Sequence, residues 1–248
     1  MTTQPATRAA HADGDKVLPR HVAIIMDGNR RWARARGRPP IFGHQQGANA
    51  VRAVLETARE LGIGYITLYA FSAENWNRAA DEIADLMSLL RFYLRRELNT
   101  MVKNNVRLRL IGDTGVFDDD IRQLIAHALE TTRTNTGAIV TLALNYGSRQ
   151  EITRVARELA MAAARGDVDP ATITPEHFGH RLCGDVPDPD LLIRTSGEQR
   201  LSNFLLWELA YAEFVFSPVS WPDFDHAQFR VALDEFARRE RRYGASGG

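Results

Sequence analysis

Four apolar runs in this chain end in short polar clusters, and each cluster carries arginine. The run from His21 leads into Asp27-Gly28-Asn29-Arg30-Arg31-Trp32, and the run from Tyr65 into Ser72-Ala73-Glu74-Asn75-Trp76-Asn77-Arg78. Later runs lead into Asn145-Tyr146-Gly147-Ser148-Arg149 and Arg194-Thr195-Ser196-Gly197-Glu198-Gln199-Arg200. Guanidinium forks match phosphate oxygens, so several arginines converging on one rim suit a polyphosphate ligand. Gly28, Gly43, Gly47, Gly147 and Gly197 would let backbone N–H groups come close to such a ligand. Asp27 and Glu213 are acids that could hold Mg2+ together with substrate phosphates. Each residue alone has a plainer reading. A loop arginine is usually solvated, a glycine after a strand usually makes a turn, and Trp32 or Trp76 more often packs than binds. It is the coincidence across four strand ends that points to phosphate chemistry. G-x-x-x-x-G-K-[ST], G-x-G-x-x-G after a strand and clustered Cys/His ligands are all missing, which removes support for ATPase, dinucleotide-binding and zinc readings.

These clusters need a scaffold that brings strand ends together. Strand-like runs cover His21–Asp27, Tyr65–Ser72, Val106–Asp113, Ala138–Tyr146 and Leu191–Ser196, with a sixth at Ala212–Val219. Between them, apolar residues recur at helical spacing: Ala48 to Leu61, Ala80 to Lys103, Ile121 to Leu129, Glu151 to Ala164 and Asp225 to Arg242. A loop rich in Asp and Pro spans Gly184 to Asp190. This alternation predicts an α/β fold, a single domain with a central, mainly parallel six-stranded sheet flanked by helices. Ligands of such sheets bind beyond the carboxyl ends of the strands, where the clusters lie.

The 248 residues suffice for one such domain, and 44% of them are hydrophobic. Lys plus Arg (31) equals Asp plus Glu (31), so bulk charge predicts no nucleic-acid partner. The one cysteine, Cys183, fits a reducing compartment and hence the cytoplasm. Residues 1–18 read as a loose N-terminal tail rather than a signal peptide, with the catalytic domain over 19–248. No apolar run is long enough to cross a bilayer, and peripheral contact with the inner face of the plasma membrane stays open.

HVAIIMDGNRRW, GHQQG, LYAFSAENWNR, ALNYGSRQEI, IRTSGEQRLSNFLLW and AYAEFVFSPVSWPDFD follow one another along the chain. They resemble the successive signature blocks of the cis-prenyltransferase family, undecaprenyl diphosphate synthases in particular. The likeness extends from about His21 to Gly244. It implies condensation of isopentenyl diphosphate with an allylic prenyl diphosphate such as farnesyl diphosphate, giving a long-chain lipid-carrier precursor for cell-wall synthesis. It also implies Mg2+ dependence, a homodimer and an elongated hydrophobic tunnel, which the apolar faces of Ala80–Met101, Leu68–Phe71 and Val140–Leu144 could line.

Residue by residue, the resemblance puts Asp27 on Mg2+, and Gly28, Asn29, Arg31 and His44 on the allylic diphosphate, with Arg30 and Trp32 in the same block. Ser72, Asn75, Trp76 and Arg78 fall between the two substrates, followed by Glu82. Arg194, Arg200 and Ser202 would grip isopentenyl diphosphate. Glu213 would be a second metal carboxylate, supplied by the partner subunit, and Arg242 of the terminal R-x-G element would reach the neighbouring subunit's site. Pro40, Ala79 and Gln199 stand where the family often has arginine, proline and histidine. A short-chain cis-prenyl diphosphate synthase, a non-catalytic diphosphate-binding partner subunit and a generic phosphate-ester-binding module are the rival readings. An all-helical trans-prenyltransferase would need D-D-x-x-D pairs, a spacing that Asp118-Asp119-Asp120 lacks.

Overall fold

The first sheet strand, β1 (His21–Ile25), reads HVAII and is buried along its whole length. A run this apolar suits a parallel strand covered on both faces. In the computed structural model, which describes residues 12–13 and 16–239, β1 lies inside a six-stranded sheet. The others are β2 (Tyr65–Ser72), β3 (Arg107–Ile111), β4 (Ile139–Tyr146), β5 (Leu191–Arg194) and β6 (Glu213–Phe216). Their spatial order is β3-β4-β2-β1-β5-β6, and every pairing is parallel. The sheet expected to be mainly parallel is wholly so.

The helices are α1 (Asn29–Ala35), α2 (Pro40–Glu60), α3 (Ala80–Lys103), α4 (Asp119–Thr132), α5 (Ser148–Ala164), α6 (Pro175–Cys183) and α7 (His226–Ala237). Side chains alternate across a strand, and β1 shows the result. Val22 and Ile24 join one apolar cluster with Val54 of α2 and Phe229 of α7. Ala23 and Ile25 point the other way, to Phe204 and Leu205. A third cluster joins Phe71, Leu108 and Leu144 to Met87 and Leu94 of α3 and Ile121 of α4.

Several boundaries differ from the sequence expectations. β1 stops at Ile25 and β5 at Arg194, so Asp27 and Ser196 lie in turns. α2 starts eight residues before Ala48, because Pro40 supplies a first-turn residue whose missing N–H costs nothing there. α7 ends at Ala237, short of the expected Arg242, which lies outside the described residues. Of the expected tail, Ala12–Asp13 pairs with Lys16–Val17 and Leu18 is buried in the α2/α7 cluster; the rest lies outside the described residues.

Candidate active site

β1 and β5 end level with each other, Ile25 opposite Arg194, and β2, level with them at Tyr69, runs on three residues to Ser72. The turns that follow therefore share one rim. Arg194, the last residue of β5, is buried, with its side chain only 4% exposed. Its guanidinium donates to Asp27 Oδ2 at 2.8 Å, to Ser202 Oγ at 2.8 Å and to the Arg200 carbonyl. Its Nε is buried with no partner. Arg31 Nη2 approaches Asp27 Oδ1 at 3.3 Å, and Arg31 Nη1 donates to Glu198 Oε1 at 2.7 Å. Glu198 also pairs with Arg200. Burial pushes the Asp27 pKa up, but the hydrogen bond and charge of Arg194, the charge of Arg31 and the Gly28 backbone N–H together hold it below its ordinary value. The hydrogen bond from Arg200 does the same for Glu198.

Local backbone geometry builds this half of the rim. Gly28 has φ +103°, and a Cβ there would stand 2.7 Å from Ser196 Oγ, so the β1 turn can pass this close only with glycine. Ser196, Ser202, Asn203 and Leu205 also hold positive φ, in the loop that carries Arg200. Left-handed non-glycine residues are costly, and they concentrate at functional sites.

A second cluster faces the first. Glu82, in the first turn of α3, takes Arg78 at 2.7 Å and Arg30 at 3.4 Å. His44 lies beside them on α2, with Nε2 buried and unpartnered. Burial and the charge of Arg78, aided by Arg30 and opposed by Glu82, push the His44 pKa down to about 4, so the ring is neutral at pH 7. Ser72 and Asn75 lock the turn between β2 and α3: the Ser72 N–H donates to Asn75 Oδ1 at 3.1 Å, and the Ser72 side chain caps the same turn. Asn29 donates to the Met26 carbonyl at 3.1 Å, while its Oδ1 is buried and unsatisfied. The close approach of α1 and α2 depends on Gly43, where a Cβ would meet the Asn29 carbonyl oxygen at 2.0 Å.

Both clusters open into one cavity of about 1460 Å³. Its mouth carries Asp27, Asn29, His44, Arg78, Arg194 and Arg200. Its depth is mostly apolar, with Val51 and Leu55 of α2, Leu90 and Leu94 of α3, and Leu68, Val140 and Leu144 of the sheet, while Arg52, Glu56, Arg59, Glu97 and Asn104 lie along its α2/α3 side. Five arginines (30, 31, 78, 194 and 200) meet three carboxylates (Asp27, Glu82 and Glu198) at the mouth, where Arg34 and Arg38 add further positive charge. This arrangement can bind two polyanionic groups at the entrance of a mostly apolar cavity.

Asp27, Gly28, Asn29, Arg30, Arg31, His44, Ser72, Asn75, Arg78, Arg194, Arg200 and Ser202 all line this cavity, and Glu82 anchors two of its arginines. Trp32 and Trp76 do not. Trp32 stacks on Phe42 under the Arg36 guanidinium, and Trp76 packs on Phe71 and Phe117 while donating to Asn145 Oδ1 at 2.9 Å. Apolar packing holds both indoles away from the cavity, Trp76 with that hydrogen bond and Trp32 with its Nε1 buried and unpartnered. Glu213 is also apart. It opens β6 level with Leu191, which is level with Val22, five residues before Asp27 and two strands away. At about 3.3 Å per residue and 4.8 Å per strand, the two acids of one chain are separated by roughly 20 Å. Glu213 instead pairs with Arg239 at 2.9 Å. Sequence reasoning missed Glu198 as a member of the site. The signal was present, since an acid two residues before Arg200 at a strand end is well placed to hold arginines.

The family model for undecaprenyl diphosphate synthases matches residues 25–244. The chain is 53% identical over 227 residues to isoprenyl transferase 2 of Bradyrhizobium diazoefficiens, covering 91% of this chain and 90% of that one. It is 47% identical over 232 residues, 93% of each chain, to the ditrans,polycis-undecaprenyl-diphosphate synthase ((2E,6E)-farnesyl-diphosphate specific) of Vibrio cholerae. Among solved structures, lavandulyl diphosphate synthase from Lavandula x intermedia, in complex with dimethylallyl diphosphate, superposes with a TM-score of 0.89 at 37% identity. That match covers 92% of this chain and 98% of the other.

Proposed function

This chain belongs to the undecaprenyl diphosphate synthase family of cis-prenyltransferases, and from that membership we propose how its site works. The enzyme condenses isopentenyl diphosphate with an allylic diphosphate, farnesyl diphosphate as starter, and repeats the step to a long polyprenyl diphosphate such as undecaprenyl diphosphate, the precursor of a cell-wall lipid carrier. One observation carries this reading: two arginine clusters flank the mouth of a single large apolar cavity.

The nucleophile is the double bond of isopentenyl diphosphate, and the electrophile is C1 of the allylic substrate. Charge builds on the departing diphosphate, where preorganised cationic donors lower the barrier. Arg31, Arg30, Arg78 and the Gly28–Asn29 backbone take the allylic diphosphate, beside a neutral His44. Arg194, Arg200 and Ser202 take isopentenyl diphosphate. Asp27, Glu82 and Glu198 hold these arginines in place, so diphosphates would meet donors already oriented.

Prenyltransferases of this family normally need a divalent metal. No group of three His, Cys, Asp or Glu among the described residues forms a protein-only metal site. That suits Mg2+, which keeps its waters and binds through one or two carboxylates plus substrate phosphates. Asp27, ionised at the mouth, is the residue that would hold it. The bound ion would offset charge on the diphosphate leaving group.

The depth of the cavity bears on product length. Beyond its polar mouth the cavity is walled by apolar side chains of α2, α3 and the sheet, which suits a long prenyl tail. Burial there favours each added CH2 by about 0.8 kcal/mol.

Glu213, apart from Asp27 within one chain, would act in the site of a second copy, as the family resemblance also implies for Arg242. β6 is an edge strand, and Leu206, Trp207 and Tyr211 stand exposed in the segment leading to it. No described helix is long and apolar enough to span a membrane. The outer face of α3, where exposed Phe92 and Val102 sit among Arg95, Arg96 and Lys103, suits contact with an anionic lipid surface.

Asp27→Asn keeps the shape of the Arg194 contact and removes the charge. Turnover of farnesyl diphosphate with labelled isopentenyl diphosphate should fall about 10²–10³-fold, with thermal unfolding changed far less. Wild-type turnover in this variant would remove Asp27 from the chemistry.

A further inference from the structure

The two helices that wall the cavity share no apolar cluster. α2 packs with α7 and one face of the sheet, whereas α3 packs with α4. Among the described residues, no α3 side chain belongs to the first cluster and no α2 side chain to the second. Three polar contacts bridge the helices. Tyr93 Oη donates to the Gln45 carbonyl at 3.3 Å, Arg52 Nη2 donates to Glu97 Oε1 at 2.6 Å, and Arg59 Nη1 donates to Asn104 Oδ1 at 3.3 Å. On α2 these partners recur every seven residues, which places them along one stripe. Arg52 and Glu97 form the middle rung; both line the cavity and both are partly open to solvent.

We propose that the α2/α3 seam is a lateral exit for the finished prenyl tail, and that the Arg52–Glu97 pair is its clasp. This rests on the prenyl-elongation reading of the site. An apolar wall continuous around the cavity would have to be torn open at the cost of buried surface. A seam closed by partly exposed ion pairs and hydrogen bonds can part with little loss, because such pairs are individually weak. The other way out leads past the ring of arginines and carboxylates at the mouth, where an apolar tail is poorly solvated. Sideways parting delivers the tail straight to an apolar acceptor while the diphosphate stays with its arginines until last.

The test is transfer of radiolabelled undecaprenyl diphosphate from the preloaded full-length protein to phosphatidylcholine vesicles. Glu97→Arg, which sets two guanidiniums against each other, should speed transfer about tenfold. The charge swap Arg52→Glu with Glu97→Arg should return it to within about twofold of wild type, since the coupling between the two positions is what is measured. Arg52→Cys with Glu97→Cys, bridged by a bismaleimide, should slow transfer more than about tenfold while leaving farnesyl diphosphate release unchanged. Cys183, the chain's one native thiol, is replaced by serine in all of these proteins so that only the introduced pair reacts. Equal transfer by wild type and Glu97→Arg, no recovery in the swap, or unimpeded transfer after bridging would each overturn the exit. Should wild type not bind the labelled diphosphate at all, the site reading fails and the exit with it; binding with unaltered transfer sinks the exit alone.

Discussion

His44 and Arg194 show how differently the two halves of the rim are held. Arg194 is buried, yet bonded to Asp27, Ser202 and a carbonyl, so its charge is retained. His44 has no partner on Nε2 and is kept neutral by burial and by Arg78 and Arg30. The consequence is a pH effect with a fixed sign. Its folded pKa is about 4 against an ordinary 6.5. Between those values the unfolded chain binds a proton that the folded chain refuses, so stability falls as pH drops through that window and is unaffected above it. Urea unfolding at pH 7.5 and 4.5 should show His44→Asn sparing about 2–3 kcal/mol of the acid loss seen in wild type. The same acid loss in both proteins would mean that His44 titrates normally.

At the scale of elements, the loop between β5 and β6 carries the reverse case. Glu208 is buried there with Oε2 unsatisfied, and burial, with the neighbouring charges of Asp188 and Glu151, raises its pKa to about 7. The folded chain then holds a proton between about 4.5 and 7 that the unfolded chain has released, so stability is lost as pH rises through that range. Glu208→Gln should gain about 2 kcal/mol at pH 8 and almost nothing at pH 5 by chemical denaturation. A gain equal at both pH values would contradict the raised pKa. Sequence legibility also divides by element. β2 and α3 were read to the residue, as Tyr65–Ser72 and Ala80–Lys103, because the first is densely apolar and the second keeps one apolar stripe over 24 residues. α1 was not read, since only Ala33 of its seven residues is buried and so it has no apolar period to detect. The sequence expectations also omit α6, although Thr174 caps it by accepting from the His177 N–H and Pro175 occupies its first turn. The strand-end arginines were legible because they needed only order along the chain. That Trp32 and Trp76 turn away, and that Glu198 joins the rim, depends on packing between distant segments.

The whole molecule adds a cavity that no segment reveals by itself. Its walls are ordinary core stripes, and only the separation of the α2 and α3 clusters leaves the space open. Ala138, just before β4, lines it level with the amino ends of the strands, at the end away from the diphosphate rim. Filling that floor with Ala138→Phe should shorten the product while leaving the first condensation intact. The most direct measurement is chromatography of the products that purified wild type and Ala138→Phe make from farnesyl diphosphate, labelled isopentenyl diphosphate and Mg2+. The account predicts undecaprenyl-length diphosphate from wild type and a distribution shifted to fewer units in the variant. Wild-type product that stops after one or two additions, or no Mg2+-dependent product, would contradict it.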